Sequence, residues 1–427
     1  MANPKALHIV LNGVTEDSRV LKCAWSLGNA GWDVIVCGAA PKLVSDTFQI
    51  GYAKVIRVPL KPVFSYSILA KLLRLARRIQ RRMVEKFFGK AKPAVPNLKR
   101  ALELITPIAL EFKPDVIHAH DYTALPIAGE IVERLKKIGC STKLIYDAHE
   151  YVPGVSHLTK PLANIYTEQE LAYVAKSAAV LSVSEGMSDL LIPHLKISKR
   201  PELVANDPLI IGQQPAKRSL RADCGISADV PVLIYSGAVA PQRGIQTALE
   251  ALTDLPDVHL VVVANPANQT VKDLQRKYAH LADRFHVQPY VPNSELVSYL
   301  SAATVGLIPI LHKQNHEISL ITKFGEYMQA RLPILVSDVR TMAAEVRRLG
   351  NGEVFLAEDV ADFVRAVELI LANPSKYSGV YTDAILRERS WELQAENLLR
   401  VYNEIAGAKP VERALKPFTI SDPQAHQ

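Results

Sequence analysis

Five clusters of polar residues follow short apolar runs, and their side chains are of the kinds that hold anions and sugars. The first is Asn12-Gly13-Val14-Thr15-Glu16-Asp17-Ser18-Arg19. A glycine lets backbone amides approach a ligand, and the helix start beyond it favours an anion. An ordinary strand-to-helix turn capped by Asp or Ser reads the same way. The second, Asp115-Val-Ile-His118-Ala-His120-Asp121, puts His120 at a strand's carboxyl end, where an imidazole can meet a polar ligand. His118 reads as a core-facing strand residue. The third, Tyr146-Asp147-Ala148-His149-Glu150-Tyr151, gathers polar and aromatic groups past another strand, and one of its acids could be a helix cap.

The fourth cluster, Ser236-Gly237-Ala238-Val239-Ala240-Pro241-Gln242-Arg243-Gly244, joins glycines to a permanent cation near a helix start. A phosphate or diphosphate is its natural partner. The fifth, Lys323-Phe324-Gly325-Glu326-Tyr327-Met328, sets Lys323 and Glu326 three apart on one helix face. The cation could hold a phosphate and the carboxylate a sugar diol, or the two could form a plain surface ion pair. Several other chemistries lack their signatures. There is no GxGxxG after the first strand, no GxxxxGK[ST], no HExxH and no GxSxG, so a nicotinamide enzyme, a P-loop ATPase, a zinc protease and an α/β-hydrolase all lose their best support.

The elements that carry these clusters alternate. Strand candidates at 6–11, 33–38, 54–58, 116–118, 143–146 and 179–183 are separated by helical stretches, the first of them a helix around 20–30 ending at Gly31. The alternation restarts with strands at 232–236, 259–264, 285–288, 305–309 and 333–337. Strands alternating with helices imply a parallel sheet covered on both faces. At about 150 residues per domain, 427 residues give roughly 2.8, hence two domains with extra helices. The expected fold class is α/β: two Rossmann-like, doubly wound domains facing across a cleft, the usual ligand position in such sheets. The first spans 1–206 and the second 229–389, with a polar linker over 207–228. A terminal helix over 390–408 presents Leu393, Leu398, Leu399, Tyr402 and Ile405 for docking, and the polar, Pro-containing residues 409–427 read as a disordered tail.

Hydrophobic residues make up 48% and charged residues 22%, enough for full cores and against disorder throughout. Cys23, Cys37, Cys140 and Cys224 form no CxxC pair and have no His at zinc-finger spacing, so they read as reduced thiols of a cytoplasmic protein. No apolar run reaches signal-peptide or membrane-spanning length.

Taken in order, the clusters resemble the retaining family-four glycosyltransferases of GT-B fold, over about residues 7 to 405. The matching pieces are Asp17-Ser-Arg19-Val with Gly31, Asp115-Val-Ile-His-Ala-His120, Tyr146-Asp-Ala-His149-Glu150, Val183-Ser184-Glu185 and Asn206. They continue with Tyr235-Ser-Gly237 to Arg243-Gly244, Lys323 to Met328, Pro333, Ser337-Asp338 and the helix at Ser390-Trp391. The resemblance implies a second domain that binds a nucleotide-sugar donor and a first that binds the acceptor. Arg243 and Lys323 would hold the diphosphate as catalytic cations, Glu326 the ribose hydroxyls, and Gly13 and Gly237 would bring backbone close to the donor. His120 would be catalytic and face the transferred sugar, and Arg19, His149 and Glu150 would bind the acceptor. No metal and no cofactor are implied.

Two departures stand out. The family often has two glutamates separated by seven residues, and counting back from Glu326 gives Ile318, with Glu317 one off. Either Glu317 shifts into place or the backbone near Ile318, Ser319 and Leu320 contacts the sugar. A cation often follows the glycine equivalent to Gly237, where this chain has Ala238. Two other functions fit the same residues: a GT-B sugar-nucleotide epimerase, and a non-catalytic sugar-nucleotide-binding protein.

The net charge of +7 is local. Residues 71–92 hold nine Lys or Arg and one Glu, or +8, leaving −1 for the remainder. Ile68, Leu72, Leu75, Ile79, Met83 and Phe87 form one helical stripe flanked by Arg77, Arg78, Arg81 and Arg82. This pattern suits an interfacial helix on an anionic membrane, on the inner face of which the protein would sit peripherally. A cationic helix packed on its own domain is the alternative. The basic residues are not interleaved with aromatics, so no nucleic acid is expected. A membrane-facing helix suits a lipid-linked or cell-envelope glycan acceptor. Changing the four arginines to Glu should abolish sedimentation with anionic liposomes at low salt while circular dichroism stays unchanged. A wild-type chain that fails to sediment with them would remove the membrane reading.

Overall fold

The structure, a computed structural model, describes residues 3–40, 44–60, 98–156, 158–408 and 410–421. The basic segment 68–92, with Arg77, Arg78, Arg81 and Arg82, lies outside the described residues. The chain divides into two units, each an α/β fold around a mostly parallel sheet. One comprises Met1–Leu181, Leu191–Glu202 and Leu399–Gln427, the other Ser182–Leu190 and Leu203–Leu398.

The first unit's sheet begins with β1 (Lys5–Ile9), β2 (Asp33–Ala39), β3 (Asp46–Ile50) and β4 (Ala53–Val58). It continues with β5 (Val116–His120), β6 (Lys143–Ala148), β7 (Ala179–Ser182) and β8 (Glu202–Leu203). Their order is β3-β4-β2-β1-β5-β6-β7-β8. β4, β2, β1, β5 and β6 pair in parallel, and β3 returns antiparallel on β4. The apolar runs of β1, β5 and β6 are buried along almost their whole length, as a sheet covered on both faces requires. β3 escapes the sequence reading because Asp-Thr-Phe-Gln-Ile is a half-buried alternation in which Phe48 and Ile50 face inward. Helix Ser18–Asn29 follows β1. Asp17 caps it by accepting from the Val20 amide, and Val20, Leu21, Ala24 and Leu27 bury one face.

The second unit has β9 (Val232–Ser236), β10 (His259–Val263), β11 (Phe285–Gln288), β12 (Val305–Ile308), β13 (Ile334–Ser337) and β14 (Gly352–Phe355). They lie in the order β11-β10-β9-β12-β13-β14, parallel at every step. Alternate residues feed separate cores on the two faces. Leu233, Tyr235, Leu260 and Val262 join one, while Val232, Ile234, Val261 and Val263 join the other. The fold class is thus α/β with two Rossmann-like, doubly wound sheets.

Two expected boundaries are corrected. Residues 207–228 are not a linker but part of the second unit. Leu220 is fully buried in its core at the start of helix Leu220–Cys224. The preceding stretch is pinned to helix Trp391–Ala406: Gln394 Oε1 accepts from the Ala205 amide at 2.9 Å, its Nε2 donates to Asp207 at 3.0 Å, and Glu392 accepts from the Ile210 and Ile211 amides. The polarity that suggested a linker serves these bonds. On that helix Trp391, Leu398, Val401 and Tyr402 are buried, whereas Leu393, Leu399 and Ile405 stay partly exposed.

The second correction is the tail. Residues 410–421 run as a strap over the first unit and end in β15 (Ile420–Ser421), antiparallel to β3. Arg413 pairs with Asp33 at 2.6 Å and lies over the Tyr52 ring, and the Trp25 indole donates to the Lys416 carbonyl at 2.8 Å. Phe418 meets Trp25 edge to face. Gly31, at φ +97°, ends the first helix, and any Cβ there would fall 2.2 Å from the Val411 carbonyl oxygen. The tail's polar side chains hid contacts made largely by its backbone. Ending the chain at Gly407 should red-shift tryptophan emission as Trp25 is uncovered. It should also cost about 1–3 kcal/mol in urea unfolding, the scale of a few lost hydrogen bonds and one aromatic contact. Unchanged emission and midpoint would show that the strap contributes nothing.

Candidate functional site

In the second unit, β9 delivers the chain into a turn that gathers cations. Gly237 follows at φ +124°, its amide donating to the Val263 carbonyl at 2.8 Å. A Cβ on Gly237 would fall 2.5 Å from Lys323 Nζ, so the glycine makes room for that ammonium. Lys323 stands in the first turn of helix Thr322–Gln329, and its Nζ lies 5.1 Å over the Tyr235 ring. Arg243 ends the short helical turn Pro241–Arg243, and its guanidinium has no hydrogen-bond or carboxylate partner among the described residues. Burial, then the Arg243 charge, pull the Lys323 ammonium down to about 8, with Glu326 pulling the other way. Two cations set close together, one of them without an acid among the described residues, form a seat for a polyanion.

The neighbouring loop engages Glu317 and leaves part of the backbone named as its alternative, at Leu320, open. Glu317 Oε1 faces His312 Nδ1 at 2.5 Å and Oε2 accepts from the Arg340 amide at 2.9 Å, so its carboxylate is engaged within the scaffold. The Ile318 carbonyl accepts from the Ser184 hydroxyl at 2.5 Å and Ser319 Oγ donates to the Asn315 carbonyl. The backbone amides of Leu320 and Ile321 have no partner among the described residues.

In the first unit, strand register assembles the imidazoles. His118 and His120 stand two apart on β5 and share a face; His8 of β1 pairs with His118, and Asp147 of β6 with His120. Arg19, from the first turn after Asp17, grips Asp147 with two bonds: Nε to Oδ2 at 2.9 Å and a terminal nitrogen to Oδ1 at 2.6 Å. Both side chains are essentially buried. Burial alone would raise the Asp147 carboxyl, but the Arg19 guanidinium and the surrounding imidazoles hold it well below the usual carboxylate range.

Proton accounting then assigns the tautomers. A carboxylate only accepts, so His120 donates Nδ1–H to Asp147 Oδ2 at 3.1 Å, and its Nε2 accepts from His8 Nδ1 at 2.8 Å. His8 Nε2 accepts from the Tyr402 hydroxyl at 3.2 Å, whose oxygen accepts from His118 Nδ1 at 2.9 Å. His118 Nε2 is left without a hydrogen-bond partner, 3.3 Å from Asp147. Burial keeps all three imidazoles neutral, His120 down at about 3.

The structure places two of the expected site residues inside the first unit: His120 is fully buried with both nitrogens engaged, and Arg19 is buried as the counter-ion of Asp147. The accessible member is His149, 19% exposed, with Nε2 3.1 Å from Asp147 Oδ2. Burial opposes charge on His149, but the Asp147 carboxylate outweighs it and lifts the imidazole above its ordinary value. Glu150 lies beside it, partly exposed. Gly13 is exposed with an amide that has no partner among the described residues, and the left-handed residue of its loop is Val14, whose side chain fills the space left by Gly38. Tyr146 points to the opposite face and donates to the buried Glu170 at 2.5 Å. Sequence reading missed His312 and gave no such role to Tyr402, Tyr235 or Ser184, because each acquires it from a partner elsewhere in the fold.

Two groups of described side chains could hold a metal ion: His8, His118 and His120, and His120, Asp147 and His149. Their contacts favour hydrogen bonding. The 2.8 Å between His8 and His120 is shorter than the roughly 3.3 Å kept by two nitrogens each about 2.0 Å from a tetrahedral ion, and Arg19 already holds both oxygens of Asp147.

Comparison with known proteins supports a shared architecture. Residues 216–385 match the family described as glycosyl transferases group 1, and residues 17–207 match a glycosyl transferase 4-like domain. A 2-deoxystreptamine glucosyltransferase of Streptomyces kanamyceticus is 24% identical over 266 residues, 58% of this chain; the chain spans 65% of that relative, just under two thirds. A D-inositol 3-phosphate glycosyltransferase of Xylanimonas cellulosilytica is 24% identical over 319 residues, 69% of this chain and 73% of its own. Among solved structures, the sucrose-phosphate synthase of Thermosynechococcus elongatus superposes with a TM-score of 0.74 at 17% identity, covering 95% of this chain and all of its own. Anabaena HepE in complex with UDP and glucose gives 0.66 at 13% identity, covering 94% and 100%. No helix among the described residues is long and apolar enough to cross a membrane.

The Arg19–Asp147 pair generates a stability prediction. Asp147→Asn should remove the anion that answers the buried Arg19 charge and cost about 3–5 kcal/mol in urea unfolding, whereas replacing both partners by apolar residues of similar volume should cost far less. A loss below about 1 kcal/mol for Asp147→Asn would show that Arg19 finds another partner.

Proposed function

Given that the chain belongs to the group 1 glycosyltransferases of GT-B fold, we propose that it moves a sugar from a nucleoside diphosphate to an acceptor hydroxyl with retention and without a metal. The observation that carries this reading is the pair Arg243 and Lys323. Diphosphate charge grows as the glycosidic bond breaks, and preset cations aimed at that charge stabilise the transition state more than the bound donor. The α- and β-phosphates would lie against Arg243, Lys323 and the free amides at the start of helix Thr322–Gln329, whose positive end favours an anion. Glu326, one turn along from Lys323, would accept from ribose hydroxyls. The Leu320 and Ile321 amides would donate to the sugar, since Glu317 is committed elsewhere.

In the first unit, His149 and Glu150 would bind the acceptor. His120 and Arg19 support Asp147 and touch no substrate. The basic residues 71–92 favour an acceptor at an anionic membrane surface, such as a lipid-linked glycan. Solved relatives of this fold hold UDP, UDP-glucose and UDP-2-fluoro glucose, which makes uridine nucleotides the first donors to assay.

Lys323→Ala and Arg243→Ala should each lower kcat by roughly 10²–10³, the scale of one lost electrostatic donor. Glu326→Ala should mainly raise KM for the donor, because ribose bonds do not change during reaction, and Glu326→Gln should be milder. Lys323 is charged below about 8 in the free protein, so kcat/KM for the donor should be level below that pH and fall above it. Turnover should persist in excess chelator. Full donor affinity and turnover in both cation variants would remove this site from the model.

A further inference from the structure

His312 stands 52% exposed on the second unit, at the base of the loop that leads into helix Thr322–Gln329. Its Nδ1 lies 2.5 Å from Glu317 Oε1 and its Nε2 3.0 Å from Asp338 Oδ1. Both carboxylates only accept, and a neutral imidazole has one N–H to give. With one proton, one nitrogen lone pair would face a carboxylate at hydrogen-bond distance. With two, both contacts close as charge-assisted bonds. The geometry therefore fits an imidazolium clamped between two acids.

Those two acids in turn anchor the loop. Glu317 Oε2 accepts from the Arg340 amide at the start of helix Arg340–Leu349, and the Glu317 carbonyl accepts from Thr341 Oγ1 at 2.6 Å. Asp338 Oδ1 also accepts from the Ala357 amide at 2.9 Å. The loop's next residues carry the Leu320 and Ile321 amides, then Lys323.

We propose that His312 is a positioning residue that, as an imidazolium bridging Glu317 and Asp338, holds the 313–321 loop in the form that presents the Leu320 and Ile321 amides and Lys323 to the donor. This rests on the donor-binding reading of that loop and extends it to a residue outside the contact set. Glu317 thereby acts from beneath the sugar position instead of touching the sugar. The groups facing His312 are Glu317 from helix Gln314–Ile318 and Asp338 from the end of β13. Behind Glu317 lies the Arg340 charge, and Lys313 is adjacent in sequence. The two acids outweigh burial and lift the imidazole above its ordinary value. The sign follows: the clamp is closed at lower pH and opens as pH rises through this raised value, with donor affinity falling as it opens.

Two readouts on the full chain test the proposal. Imidazole nitrogen NMR of the free protein should show His312 doubly protonated at pH 6.5 and titrating above it, with the backbone amides of Glu317 to Ile321 following the same curve. Calorimetry with UDP should show His312→Gln losing about fivefold in affinity at pH 6.5, the scale of exposed ion pairs. His312→Arg, whose fork reaches two carboxylates at any pH, should keep wild-type affinity and hold it as pH rises. These titrations are run in a Lys323→Arg background, which removes the other titrating cation. A singly protonated His312 at pH 6.5, loop amides indifferent to its titration, or an Arg variant as weak as the Gln variant would each overturn the clamp. Failure of UDP to bind the wild type would defeat the donor reading, and the NMR experiment would still decide whether His312 holds the loop.

Discussion

A charge withdrawn from water must find a partner, and the two units of this molecule treat that constraint in opposite ways. In the first, Asp147 is buried and fully answered: Arg19 takes both oxygens, while His120 and His149 converge on one of them. The arrangement also fixes neighbours that never touch the carboxylate, because the direction of each hydrogen bond from His120 through His8 and Tyr402 to His118 follows from the one before it. In the second unit Arg243 has no acid among the described residues and Lys323 is pulled down to about 8 by burial and by Arg243. Satisfied charge organises structure, and charge left unanswered marks where a ligand anion contributes what the protein withholds.

The parallel sheets are what make both arrangements possible. β1, β5 and β6 end their strands at the same edge, so residues far apart in sequence stand side by side there. Eight residues into the chain, His8 is already a neighbour of His118 by register. In the second unit the turn after β9 and the start of helix Thr322–Gln329 are brought together by packing of Tyr327 under Ser236, whose amide donates to the Tyr327 hydroxyl at 3.0 Å. Gly306 allows that ring its place, since a Cβ there would lie 2.4 Å from it. A residue without chemistry thus sets the position of one with chemistry.

Between the framework and the ligand-facing groups lies a layer of polar residues that hold backbone. Ser184 on the Ile318 carbonyl, Thr341 on the Glu317 carbonyl, Glu317 on the Arg340 amide and Gln394 on Ala205 are all of this kind. Each uses a side chain of a kind that binds substrates to steady a stretch of backbone instead. This is why the acidic residue nearest the expected sugar position belongs to the scaffold, and why two backbone amides remain free beside it.

Sequence alone determined what depends on local pattern. The alternation of apolar runs and amphipathic stretches gave the α/β class, the central strands and the restart near residue 232, because burial on both faces leaves a continuous apolar signature. Cation-bearing turns at strand ends were legible too, as a glycine or helix start beside Arg or Lys has a local meaning: the structure places Arg243, Lys323 and Gly237 together as their order suggested. The tertiary structure decided everything that depends on a partner. His120 and Arg19 have the residue types of ligand contacts, yet the fold buries both, and no spacing in the chain reveals the hydrogen bonds they make there. Residues 410–421 look like a solvated tail because what docks them is largely backbone and side-chain edges on Trp25, Asn29 and Tyr52. Composition reports what a residue can bond to, whereas only the folded chain settles whether that capacity is used within the protein or left for a ligand.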